Sequence, residues 1–151
     1  MIMDKLLELD PSGTAITVTR DSTNIINLVN DRDIGIDYGL TLVLNCTETF
    51  TAGGAGTLDI SIQYSADDST YYIAASSRQF ALADLVAGTF TWRLPLPPRP
   101  QAMIVANVLP QYIKLVYTVG TGPMTAGKIG ATIVVDAQNT LAYAPGVVVN
   151  N

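Results

Sequence analysis

Thr57-Leu58-Asp59-Ile60-Ser61-Ile62-Gln63-Tyr64-Ser65 alternates apolar and polar side chains without a break. Leu58, Ile60, Ile62 and Tyr64 fall on one side, Thr57, Asp59, Ser61, Gln63 and Ser65 on the other. A sustained period of two predicts a half-buried antiparallel strand. A second stretch is built alike. Thr51-Ala52-Gly53 precedes the first alternation, and Thr125-Ala126-Gly127 precedes a run in which Ile129, Ala131, Ile133 and Val135 oppose Lys128, Gly130, Thr132 and Asp136. No catalytic motif interrupts either run.

Working outward, strand signals recur at short intervals. Ile16 and Val18 alternate with Thr17 and Thr19, Asn24–Val29 is an apolar run, and Leu40–Cys46 makes a third strand. Tyr71–Ala75 follows the Asp67-Asp68-Ser69 turn. Phe90, Trp92 and Leu94 alternate with Thr89, Thr91 and Arg93, and Ile113–Val119 alternates again. Leu82–Ala87 can supply one helical turn. Gly120-Thr121-Gly122-Pro123 is good turn chemistry, which predicts a hairpin between 112–119 and 126–137. About eight short strands with Gly, Pro, Asn and Asp punctuation predict an all-β fold, an antiparallel β-sandwich of the jelly-roll type. The expected organisation is an N-terminal arm over 1–10, the sandwich over 11–138 and a C-terminal tail over 139–151. Between Pro95, Pro97, Pro98, Pro100 and Pro110 lies the apolar octet 102–109, which reads either as a further strand or as an exposed apolar excursion that docks on a partner.

Composition narrows the function. The formal charge is −5, and the eight Lys and Arg residues are scattered singly, whereas phosphate backbones require clustered cations. Nucleic acid is therefore not an expected partner. Charged residues make up 14% of the chain, well below the roughly 25% of an average globular protein. A surface so poor in charge suits protein contact. Charges at Asp4, Lys5 and Glu8 break any signal-peptide core, and no apolar run approaches the roughly 20 residues of a membrane span. A soluble chain made in the cytoplasm, with no membrane partner, is expected.

The chain contains no histidine, which removes Ser-His-Asp and Cys-His catalysis and imidazole metal sites. Cys46 is the sole cysteine, in register with Leu40, Leu42 and Leu44, and reads as a small buried residue. Gly53-Gly54-Ala55-Gly56 opens a strand and lacks a phosphate-loop lysine, so it reads as a turn. Asp31, Asp33 and Asp37 cluster without the full ligand run of a calcium loop and read as a solvated turn. No catalytic residue, cofactor or metal is expected. Tyr71, Tyr72 and Trp92 are the residues from which a sugar-stacking platform could be built, although Trp92 is in phase with Phe90 and Leu94 and reads as core. A carbohydrate-binding β-sandwich module is the alternative function.

Three motifs carry a family resemblance. Asp4-Lys5-Leu6-Leu7-Glu8-Leu9, Phe50-Thr51-Ala52-Gly53-Gly54 and Tyr117-Thr118-Val119-Gly120-Thr121-Gly122-Pro123-Met124-Thr125-Ala126-Gly127 occur in this order. The chain resembles the jelly-roll cement, or capsid decoration, proteins of tailed bacteriophages over most of its length. The resemblance implies a non-enzymatic viral structural protein. It implies a homotrimer on the outer surface of the capsid that bridges major capsid protein subunits. Between Pro97 and Gln111 the apolar excursion is longer than the family's pattern. The apolar residues outside the alternating strands are the expected contact surface: Met1, Ile2, Met3, Leu6 and Leu7 of the arm, with Met103, Ile104 and Val105 of the loop. Removing residues 1–9 is then expected to weaken capsid binding or trimer formation.

Overall fold

A computed structural model of the chain describes residues 5–11, 13–28 and 39–135. Among these residues the strands are β1 (Glu8–Asp10), β2 (Arg20–Asp21), β3 (Ile26–Asn27), β4 (Leu40–Ala52), β5 (Thr57–Ser65), β6 (Tyr71–Ser76), β7 (Phe80–Ala81), β8 (Thr91–Pro95), β9 (Tyr112–Gly120) and β10 (Met124–Val135). One short helix, α1 (Gln101–Val105), stands among them, and 3-10 turns form at Lys5–Leu7 and Leu82–Asp84.

The strands make two antiparallel sheets. One has the order β1-β10-β4-β8; the other has β2-β9-β5-β6, with β3 also on β9 and β7 also on β5. Counting β2 with β3 and β6 with β7 gives the eight strand positions of a jelly roll. The β4–β10 pair of the first sheet continues as the β5–β9 pair of the second. A single two-stranded ribbon is thereby folded over on itself, and its inner faces close the core.

The expected alternation builds that core. Leu58, Ile60, Ile62 and Tyr64 of β5 are buried, as are Ile129, Ala131 and Ile133 of β10, and they meet Leu42, Leu44, Leu115 and Tyr117 from the facing strands. Burying one such side chain contributes roughly 1.5–3 kcal/mol. Ser65 departs from the alternation because it turns inward, where its hydroxyl donates to Asp67 Oδ1 at 3.0 Å. Asp67 in turn accepts the backbone N–H groups of Ser69 and Thr70, as an aspartate at a turn does.

The sandwich is also pinned at one edge by a polar cluster. Asp10 is fully buried, and its carboxylate accepts from Arg20 Nη2 and from Thr23 Oγ1, both at 2.8 Å. The Arg20 guanidinium lies 5.1 Å from the centre of the Tyr117 ring. The cluster joins β1 of one sheet to β2 and β9 of the other.

Several expectations are corrected. The segments 112–119 and 126–137 do not form a hairpin: β9 pairs with β5 and β10 with β4 and β1, so the intervening turn carries the chain from one sheet to the other. The turn chemistry itself is right, with Thr121 and Gly122 at φ of 57° and 92°. Ile16–Thr19 is not a strand. It makes two isolated bonds to β10, from Ile16 N to Gly127 O and from Met124 N to Thr17 O, each at 2.9 Å. Residues 8–10 are not a free arm but the edge strand β1, and Leu7 and Leu9 are core residues. The octet 102–109 is not a strand: it overlaps α1, and Ile104, Val105 and Leu109 within it are exposed. The Asp31, Asp33 and Asp37 cluster and the tail 139–151 lie outside the described residues.

Candidate contact surface

Between Pro95 at the end of β8 and Tyr112 at the start of β9 the chain runs outside both sheets. Prolines stiffen its path, and hydrogen bonds fasten it down. Leu96 N donates to Leu40 O at 2.9 Å, the Tyr64 hydroxyl donates to Pro97 O at 2.6 Å, and Gln111 N donates to Ser65 O at 2.8 Å. Pro100, with φ −66°, leads into α1, where a fixed φ suits a helix start and a missing N–H removes nothing. Its carbonyl accepts from Met103 N and Ile104 N at 3.0 and 3.2 Å.

The helix stops one turn later. Asn107 takes φ 53°, the left-handed conformation that asparagine tolerates after a helix end. Val108 N then returns to Met103 O at 3.1 Å, and Arg99 Nη1 donates to Val108 O at 3.3 Å. The result is a small closed knob on a pinned base.

Side-chain directions divide the knob in two. Met103 is 0% exposed and anchors α1 in the core. Ile104, Val105 and Leu109 are 44%, 77% and 72% exposed. No charged residue lies between Pro100 and Ile113. An outward apolar cluster held on a rigid base has little conformational entropy left to lose on docking, which favours association.

The sequence-based contact residues therefore separate. Ile104 and Val105 are exposed as expected, and so is Leu109 on the same loop. Its signal was an apolar residue between a helix-stopping Asn107 and Pro110. Met103 is corrected to a core residue, because α1 needs one inward anchor per turn. Leu6 is 56% exposed, whereas Leu7 is 6% exposed and is likewise corrected to the core. Met1, Ile2 and Met3 lie outside the described residues. Glu8 pairs with Thr132 and Val135 pairs with Leu40, so Leu6 lies toward the end of the sandwich that carries the knob. Removing residues 1–9 would delete Leu7, Leu9 and part of β1, so it tests folding rather than contact.

A family model described as Bbp16 matches residues 11–133, from just after β1 to near the end of β10. The chain belongs to the Bbp16 family. No curated protein matches the sequence.

Other chemistry in this Bbp16-family chain is structural where it is described. Cys46 is buried, its Sγ donates to Glu48 O at 3.0 Å, and burial pushes the thiol pKa up, which disfavours the nucleophilic thiolate. Among the described residues, no group of three or more His, Cys, Asp or Glu residues is placed to hold a metal ion. Tyr71, Tyr72 and Trp92 do not form one platform. Tyr71 and Tyr72 belong to β6 and Trp92 to β8, in opposite sheets. The Tyr71 hydroxyl donates to Asp68, and Lys114 Nζ sits 3.8 Å from its ring centre, over one of its faces.

Proposed function

We propose that this chain is an adhesive structural protein that decorates the outer surface of a tailed-bacteriophage capsid. In this reading it binds as a homotrimer and bridges major capsid protein subunits. The observation that carries the reading is the exposure of three apolar side chains, Ile104, Val105 and Leu109, on a loop fastened to the sandwich by hydrogen bonds. The motif resemblance supplies the class of partner, and the jelly-roll sandwich is the scaffold it implies.

The mechanism is physical. Each knob contributes apolar burial worth roughly 25 cal/mol per Å², less the cost of association. An oligomer engages several subunits at once, so each contact after the first is effectively intramolecular. Avidity then exceeds single-site affinity by about 10²–10⁴-fold, and small contacts suffice.

The test is co-sedimentation of purified protein with phage capsids stripped of it, alongside the Val105→Asp/Leu109→Asp variant. Saturable binding by the wild type and at least tenfold weaker binding by the variant are expected, with equal melting temperatures. A mass of three chains in solution is expected for both. Unchanged capsid occupancy by the folded variant would remove the knob from the contact, and failure of the wild type to bind would end the proposal.

A further inference from the structure

A second surface feature lies away from the knob, where β7, the 3-10 turn at Leu82–Asp84 and β8 meet. Here Arg78, Phe80, Asp84, Thr89, Phe90 and Trp92 line an open cleft of about 490 Å³. Phe80 and Phe90 form its buried floor, edge to face at 5.0 Å, and the half-buried Trp92 packs on Phe80 at 6.2 Å as an aromatic wall.

The polar rim is an ion pair. The Arg78 guanidinium lies 4.7 Å from the Phe80 ring centre. Its Nη1 donates to Asp84 Oδ2 at 3.1 Å, and the same oxygen accepts from Ala81 N at 3.2 Å. Both bonds fall on Oδ2. Arg78 Nη1 also reaches Gln79 O at 3.4 Å, and the rest of both polar groups is open to solvent. A solvent-accessible carboxylate and guanidinium thus stand side by side, next to an aromatic wall.

That combination has a chemical complement. Adjacent hydroxyls on a ring offer a donor and an acceptor at neighbouring positions, and the axial C–H groups of a pyranose present an apolar face suited to an aromatic ring. The rim charges cancel, so an anionic sugar would meet the Asp84 carboxylate without a spare cation. Phosphate ligands are disfavoured for the same reason, because Arg78 is the single basic residue of the lining and is already paired.

We propose that this cleft is a binding site for a neutral saccharide, with one pyranose face against Trp92 and two vicinal hydroxyls bonded to Arg78 and Asp84. The proposal is independent of the capsid reading, since it uses none of the knob's residues. An open cleft with this few contacts binds weakly, with a Kd on the order of 1 mM for a single ring.

Trp92 is the only tryptophan in the chain, so intrinsic tryptophan emission reports on this cleft alone. The experiment titrates the full chain with methyl glucoside, methyl galactoside, methyl mannoside and their disaccharides, with galacturonic acid as the anionic counter-probe. A saturable change in emission with at least one neutral sugar is expected, together with at least tenfold weaker binding by Arg78→Met and by Asp84→Ala. Arg78→Met keeps an apolar stem over Phe80, so it decides the matter if loss of the Asp84 bond to Ala81 N lowers the melting temperature. No saturable change with any neutral sugar, tighter binding of galacturonic acid, or undiminished binding by a folded Arg78→Met variant would each overturn the proposal.

Discussion

Thr51-Ala52-Gly53 and Thr125-Ala126-Gly127 are identical in sequence and opposite in structural role. The first ends β4, and Gly53 opens the turn that crosses to the second sheet. The second lies inside β10, where pairing with β4 slips in register three times between Met124 and Ile129. A Cβ on Gly53 would meet nothing within 4 Å, whereas one on Gly127 would fall 2.3 Å from the Phe50 ring, at a backbone φ of +139°. The two motifs also face each other, with Thr51 and Thr125 hydroxyls 2.8 Å apart across the ladder. A glycine's importance is thus set by what packs over it, not by its neighbours in sequence.

The contrast is breakable by mutation. Gly127→Ala combines left-region backbone strain with overpacking against Phe50 and should cost about 3 kcal/mol or more in urea unfolding. A loss near zero would mean that Phe50 moves freely and that the bulge is soft. Phe50→Ala should partly relieve the second cost. Gly127→Ala introduced into that background should be milder than in the wild type by about 1–3 kcal/mol, read from a double-mutant cycle. Additive effects would show that the ring is not the obstacle. For the facing hydroxyls, a cycle of Thr51→Ala and Thr125→Ala should give a coupling of about 0.2–1 kcal/mol. Gly53→Ala should change stability by no more than about 0.5 kcal/mol in either direction; a large loss there would erase the distinction between the motifs.

What was legible in the sequence was whatever depends on period alone. The strands holding Leu58–Tyr64 and Ile129–Ile133 alternate because each has one face on the core, and that pattern is local. The partner of each strand is not local. Gly120-Thr121-Gly122-Pro123 reads as a hairpin turn and has hairpin-like dihedrals, yet its flanking strands bond to β5 and β4 rather than to each other. Ile16–Thr19 alternates correctly but meets β10 beside its irregular stretch around Gly127, where only two bonds form. Glu8–Asp10 was obscured because three residues carry too little period to register as a strand.

Candidate contact residues were legible to a similar depth. Exposure of Ile104 and Val105 followed from apolar residues bounded by prolines, while the inward turn of Met103 required knowing that a helix of five residues forms there. Leu7 belongs to the core because it leads directly into β1, whose three residues carry no readable period. Trp92 is in phase with Phe90 and packs against the core, but its strand β8 is an edge and its side chain is only partly buried.

The folded-over ribbon has a consequence for how the polypeptide is made. Leu40 pairs with Val135, and Thr57 with Gly120, so the central strands must wait for partners that emerge late from the ribosome. Such long-separation pairing slows folding; β5 can pair early with β6 and β4 with β8, but the other edge of each stays uncovered until β9 and β10 emerge. Nascent chains of this protein should therefore depend on holdase chaperones until synthesis is nearly finished.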